Sequence, residues 1–355
     1  MASLVDWGLA ERIATAAAGE GPSAMASGEV DLAGAWERSR DAVIDYTGLT
    51  PAGPVPEAEW VSRREWTRIN LASMREMVAA VEERIGGSLA PGRAGQALDA
   101  VGGRAFAVQI GGLLGLASRR VLGQYEMSLL GGGDRSPRLI FVGPNIDSAT
   151  ADLHGSPSDV LEWVALHEVT HAVHFTSVPW LADHLGGLAR TLLEDTPLSL
   201  EGSDLLGGAR QAINDPRGWI KEIREADPVT LLAPPQARET IVAVQATMAL
   251  VEGYAEHVMD AAAGEIGPRV EALRAGMERR RENRGPLARA LAWLLGFEMK
   301  LRQYRDGKRF CDEVVEAEGI AGLNLAWQGP AALPTLAEIS AADEWTRRVG
   351  TPAAA

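Results

Sequence analysis

Apolar residues recur every three to four positions along most of the chain, the period of a helix with one face turned inward. The pattern predicts helices over about 33–46, 57–86, 96–122, 157–177, 181–194, 236–263, 268–284 and 286–318, mostly separated by Gly or Pro. One stretch departs from that period. RLIFVGPNI, residues 138–146, is a β-branched and aromatic run bounded by Pro137 and Gly143-Pro144, and it reads as a strand near a sheet edge. Flexible breaks are expected at 19–29, 51–57 and 131–137, with a disordered tail at 351–355. No fixed-period repeat appears, which argues against a solenoid. The expectation is an α+β fold, predominantly α-helical, forming a single domain over 1–350: an N-terminal helical part (1–130), then a strand and further helices (131–350).

Composition narrows the function classes. With 355 residues, 46% of them hydrophobic, the chain can bury a substantial core. A formal net charge of −14 disfavours nucleic acid and anionic membrane surfaces as partners, since like charges repel. The single cysteine, Cys311, rules out an intrachain disulfide framework and a tetrathiolate zinc site. The N-terminus has acidic residues early and no basic region ahead of an apolar run, so it does not read as a secretory signal, and a cytoplasmic location is expected. AFAVQIGGLLGLAS (105–118) falls short of the roughly 20 residues that span a bilayer. It reads instead as a buried helix loosened by Gly111, Gly112 and Gly115.

Candidate chemistry concentrates in LEWVALHEVTHAVHF (161–175), which holds three of the chain's six histidines. Ser156, Pro157 and Asp159 supply an N-cap residue, a proline at the first helical position and an acid in the first turn, so a helix should begin near Pro157. His167 and His171 are then one turn apart on one face, where both rings can grip a single ion. Glu168 lies one step around the helix, able to reach a metal-bound water without ligating the metal. This is HExxH: two zinc ligands and a general base. Its surroundings, from Leu161 to Val173, are apolar, and burying two imidazoles and a carboxylate there is costly unless a cation compensates. His174 is about 10 Å along the helix from His167, too far to share the ion, and reads as a pocket-wall or core histidine.

A catalytic zinc commonly has three protein ligands and one open position. The remaining ligand is sought on IVAVQATMALVEGYAEHVMDAAAG (241–264), which is almost wholly apolar until Glu252 and then carries Glu256, His257 and Asp260. Glu252, flanked by Leu250 and Val251, is a ligand candidate, and Glu256 could accept the free ring N–H of a histidine ligand and fix its tautomer. Both glutamates on a solvated face, or His257 as the ligand, remain alternatives.

HEVTH followed downstream by VEGYAEH resembles the gluzincin arrangement, and EGYAEH looks like the EGFA-type stretch of zinc aminopeptidases, whose first glutamate is a ligand. The resemblance selects Glu252. RRVLGQYE (119–126), RLIFVGPNI, EMKLRQYRDGKRF (298–310) and LPTLAEI (333–339) extend it to a bacterial family of zincin-like metallopeptidases. It implies a zincin-like fold with a small β-sheet beside the HExxH helix, a Zn2+ cofactor and a metallohydrolase activity. The gap between His171 and Glu252 is far longer than in the aminopeptidases, so their substrate class does not carry over.

On this reading Glu168 takes the proton of a zinc-activated water that attacks a carbonyl, then protonates the leaving amine. A second oxyanion partner is expected from Tyr304, with Tyr254 and His257 behind it. RLIFVGPNI could offer its edge to an extended peptide. The expected substrate is a peptide or a small amide, cleaved by a zinc peptidase. A non-catalytic zincin-like scaffold or binding protein, and a hydrolase of non-peptide amides or esters, are the alternatives. ERRRENR (278–284) reads as a solvated helix face.

Overall fold

The computed structural model describes residues 4–19, 30–85, 93–128, 136–153, 155–195, 235–263, 272–276 and 297–350; among these the side chains of 80, 81, 83–102, 193, 195, 235, 236 and 297–304 are not described. The chain divides into two compact units, Met1–Pro179 with Val258–Glu282, and Trp180–His257 with Asn283–Ala355. The expected breaks over 20–29 and 131–135, the 351–355 tail and the ERRRENR stretch fall outside the described residues.

The first unit holds α1 (Trp7–Ala18), α2 (Leu32–Thr47), β1 (Ala58–Val61), α3 (Arg63–Ile85), α4 (Arg93–Ala117), β2 (Gly123–Glu126), β3 (Arg138–Val142), α5 (Gly143–Leu153) and α6 (Pro157–Ser177). The three strands form one sheet in the order β1-β3-β2, with β1 parallel and β2 antiparallel to β3. RLIFV is therefore the central strand, paired on both sides, and the expected edge position is corrected. Leu139, Ile140, Phe141 and Val142 are all 0% exposed, a continuous apolar run of the kind a strand covered on both faces requires. Burying each side chain contributes about 1.5–3 kcal/mol. The expected strand also ends early: Gly143-Pro144 opens α5, with proline supplying a preset helical φ near the first position.

The sheet divides its neighbours by side-chain alternation. Ile140 and Val142 pack with Val61, Trp66 and, from the partly buried shell, Ile69 and Leu114. On the same face Gln124 Oε1 accepts hydrogen bonds from Trp66 Nε1 at 2.7 Å and Asn70 Nδ2 at 3.3 Å, and Ser73 Oγ donates to Glu126 at 2.5 Å. Gly123 and Tyr125, on the opposite face, turn toward α6, where the Tyr125 ring stacks on Phe175 with centroids 5.7 Å apart. Burial, only partly offset by a hydrogen bond with Thr176, pushes the Tyr125 phenol up to about 12.

Helix α6 starts at Pro157, as its N-terminal signals predict, although the Ser156 side chain makes no capping hydrogen bond. Pro157 occupies the first turn with Asp159, and Val178 N–H closes onto the His174 carbonyl. Thirteen of its residues, from Val160 to Phe175, are buried, which is the pattern of a helix enclosed on most sides rather than an amphipathic surface helix. The 105–118 run is helical but not enclosed, since Phe106, Val108 and Leu116 are exposed. Its glycines serve close approach instead of loosening: a methyl group on Gly111 would fall 2.5 Å from the Ala10 carbonyl oxygen, and one on Gly115 2.5 Å from Ala17 Cβ. Gly112 faces open space.

The second unit holds α7 (Pro179–Asp195), most of α8 (Pro235–Ala261), α9 (Phe297–Leu323), two short 3-10 turns (Asn324–Gln328 and Pro330–Ala332), α10 (Leu336–Ile339) and α11 (Ala342–Gly350). α8 and α9 meet backbone to backbone. A methyl group on Gly253 would collide with the main chain at Gly307, and one on Gly307 with the Ala249 carbonyl. α9 kinks at Gly319, whose φ of 71° lies in the left-handed region. The LPTLAEI stretch forms a capping box between Thr335 and Glu338, and Glu338 also binds Arg348 at 2.6 Å. None of the helices among the described residues is long and apolar enough to cross a membrane.

Candidate functional site

The Nε2 atoms of His167 and His171, one turn apart on α6, stand 3.3 Å from each other, with the rings nearly perpendicular at 88°. His171 is buried and His167 half-buried. The ligand atoms of His167, His171 and Glu252 all lie within 4.8 Å of one another. Two imidazole nitrogens and one carboxylate oxygen are a donor set that zinc takes at catalytic sites. Nitrogens held about 2.0–2.1 Å from one zinc at the tetrahedral angle would be about 3.3–3.4 Å apart, the separation the two rings already have. The residues fit the ion.

Glu168 follows His167 by one step and so leaves the ligand face of α6. Its side chain lies instead against β2. A methyl group placed on Gly123 would fall 2.6 Å from Glu168 Cγ, 3.1 Å from Cδ and 3.3 Å from Oε1. RRVLGQYE, a stretch that carries the family resemblance, holds a signal for this contact in the glycine inside a short segment flanked by β-formers.

On α8 two of the other expected site residues, Tyr254 and His257, turn away from Glu252. At 100° per residue Tyr254 and His257 lie roughly 200° and 140° round the helix from it. Tyr254 is fully buried, its hydroxyl donating to Asn324 Oδ1 at 2.9 Å and its ring edge-on to Trp327. His257 Nδ1 pairs with Asp312 Oδ1 at 2.7 Å, and Lys308 Nζ donates to the other oxygen of Asp312 at 2.6 Å. Burial would raise the Asp312 carboxyl, but the hydrogen bonds from His257 and Lys308 outweigh it and hold the group below its usual range. Both side chains thus tie α8 to its own unit. Glu256, one turn after Glu252, is partly buried. Tyr304 lies on α9, and its side chain is outside the described residues.

Gly253, beside Glu252, gives EGYAEH a structural reason that sequence reasoning left open: only a residue without Cβ lets α8 touch α9 at Gly307, itself the glycine of RQYRDGKRF. His174 is fully buried, as a core histidine should be, and burial followed by the nearby His171 lowers its pKa to about 3. It is neutral at any ordinary pH.

A solved structure from Chloroflexus aurantiacus, described as a presumed hydrolase with a novel fold, is similar over 98% of this chain and 100% of its own, with 27% identity and a TM-score of 0.69. None of the curated proteins compared with the chain matches it. The sequence pattern of the zincin-like metallopeptidases matches residues 5–346; with a mainly helical α+β fold and a His-His-Glu group in place, the chain belongs to the zincin-like metallopeptidase family.

Proposed function

We propose that the protein is a zinc-dependent hydrolase that cleaves peptide bonds. Membership of the family and the hydrolase description of the Chloroflexus structure support hydrolysis as the reaction class. The convergence of His167, His171 and Glu252 within 4.8 Å is the observation that carries the metal.

A zinc ion held by these three residues would supply a Lewis acid that polarises a carbonyl and brings a water's pKa to about 7. Glu168 would then accept a proton from the attacking water and return it to the departing amine, so the same carboxyl would serve as base and then acid. Its proximity to Gly123 places this carboxyl at the outer strand of the sheet. Val142 N–H donates to the Leu122 carbonyl at 2.8 Å, and antiparallel pairs alternate; the backbone groups of Gly123 and Tyr125 therefore point away from β3. No strand among the described residues pairs with that side of β2. An extended peptide can add there by main-chain hydrogen bonds, which favours peptides over compact amides and gives β2 the docking role that sequence reasoning offered to RLIFVGPNI.

The test is metal analysis of the parent and of Glu168→Gln, with both screened against a peptide library. The expected result is near-stoichiometric zinc in both proteins and cleavage by the parent only. Equal cleavage by the two would remove Glu168 as the base, and no cleavage by either would overturn the peptidase reading.

A further inference from the structure

The segment around Gly123 is fixed on every side but one. Gln124 and Glu126 are bonded to α3 through Trp66, Asn70 and Ser73, Tyr125 is stacked on Phe175 of α6, and the strand is in register with β3 from Gly123↔Phe141 to Glu126↔Arg138. Glycine is a poor strand residue, with no side chain to pack and more conformational entropy to lose. Nor does the backbone require it here, since among the glycines of the described residues a φ in the left-handed region occurs only at Gly19, Gly48 and Gly319. What singles out the position is space: the three heavy atoms nearest to a methyl group on Gly123 all belong to Glu168, and the closest, Cγ, would be 2.6 Å away.

We propose that Gly123 is a positioning residue for catalysis: the missing side chain is the seat of the Glu168 side chain, and the pinned strand holds the carboxyl in its working place. Any larger residue at 123 must displace something. The strand is tied to α3, α6 and β3, whereas Glu168 is a flexible side chain, so Glu168 is what moves. Its ligand neighbours do not: His167 and His171 lie on another face of α6. This role rests on the reading of Glu168 as the general base.

The test uses the full-length, zinc-loaded protein carrying Gly123→Ala, with Gly112→Ala as a control, because a methyl group there meets open space. A crystal structure of Gly123→Ala is expected to show the Glu168 carboxyl displaced and the rings of His167 and His171 unmoved. With a quenched fluorescent peptide that the parent cleaves, kcat is expected to fall about 10²-fold, the scale of a reacting group misplaced by about 1 Å. KM, zinc content and Tm should match the parent, and Gly112→Ala should match it throughout. A Gly123→Ala structure with Glu168 in its original place would overturn the proposal. So would lost zinc, or a raised KM with unchanged kcat, which would make Gly123 a residue of the metal site or of substrate binding instead. If Glu168→Gln cleaves as well as the parent, or the parent cleaves no peptide, it is the catalytic reading that fails; the position of Glu168 in Gly123→Ala still decides whether Gly123 is its seat.

Discussion

His174 shows how one buried side chain sets a pH dependence. Its folded pKa is about 3 against an ordinary 6.5, so between those values the unfolded chain takes up a proton that the folded chain refuses. The free energy of unfolding therefore falls as pH drops below about 6.5 and is unaffected by this group above it. In the metal-free protein, urea unfolding across this range should lose about 1.4 kcal/mol per pH unit to this single proton, and His174→Leu should make the acid limb shallower by that amount. An identical slope in the variant would mean that His174 protonates in the folded state. At this scale the approach of two imidazoles was legible: the one-turn spacing of His167 and His171 needs only helical geometry. The neighbours of Glu168 were not, because Gly123 is 45 residues away in sequence and meets it only through the placement of the strand.

Helices were read more successfully than strands, for a physical reason. α6 carries its own signals, with proline at the start, an acid in the first turn and an apolar interior. β1 and β2 have four residues each, too few to display an alternation, and the polar residues of GQYE are held by partners on α3 that no local pattern announces. The central place of β3 likewise depends on those two unseen neighbours. Helix crossings repeat the lesson: Gly253 and Gly307 look like helix-weakening residues in sequence, yet they are where α8 and α9 touch. Gly307→Ala should therefore destabilise the protein by about 1–3 kcal/mol, the cost of overpacking a filled contact, although alanine is the better helix former. Chemical denaturation checks the sign; a stabilised variant would contradict the close crossing. Gly319→Ala, at a φ of 71°, should cost about 1–2 kcal/mol through backbone strain alone.

On the proposed reading, in which His167, His171 and Glu252, far apart in sequence, hold one zinc, metal binding becomes part of stability at the scale of the whole molecule. Zinc that binds the folded chain and not the unfolded one stabilises it by RT ln(1 + [L]/Kd), about 2.7 kcal/mol at a free concentration of 100 Kd. Chelation should lower Tm in calorimetry, and added zinc should restore it; a Tm indifferent to chelator would mean that the ion contributes nothing to the fold. The most direct measurement of the account is zinc content after dialysis against a fixed free zinc concentration, for the parent and for Glu252→Ala and His167→Ala. The account predicts close to one zinc per chain in the parent and a large loss in both variants. A parent that retains no zinc, or a Glu252→Ala protein that holds it as tightly as the parent, would contradict it.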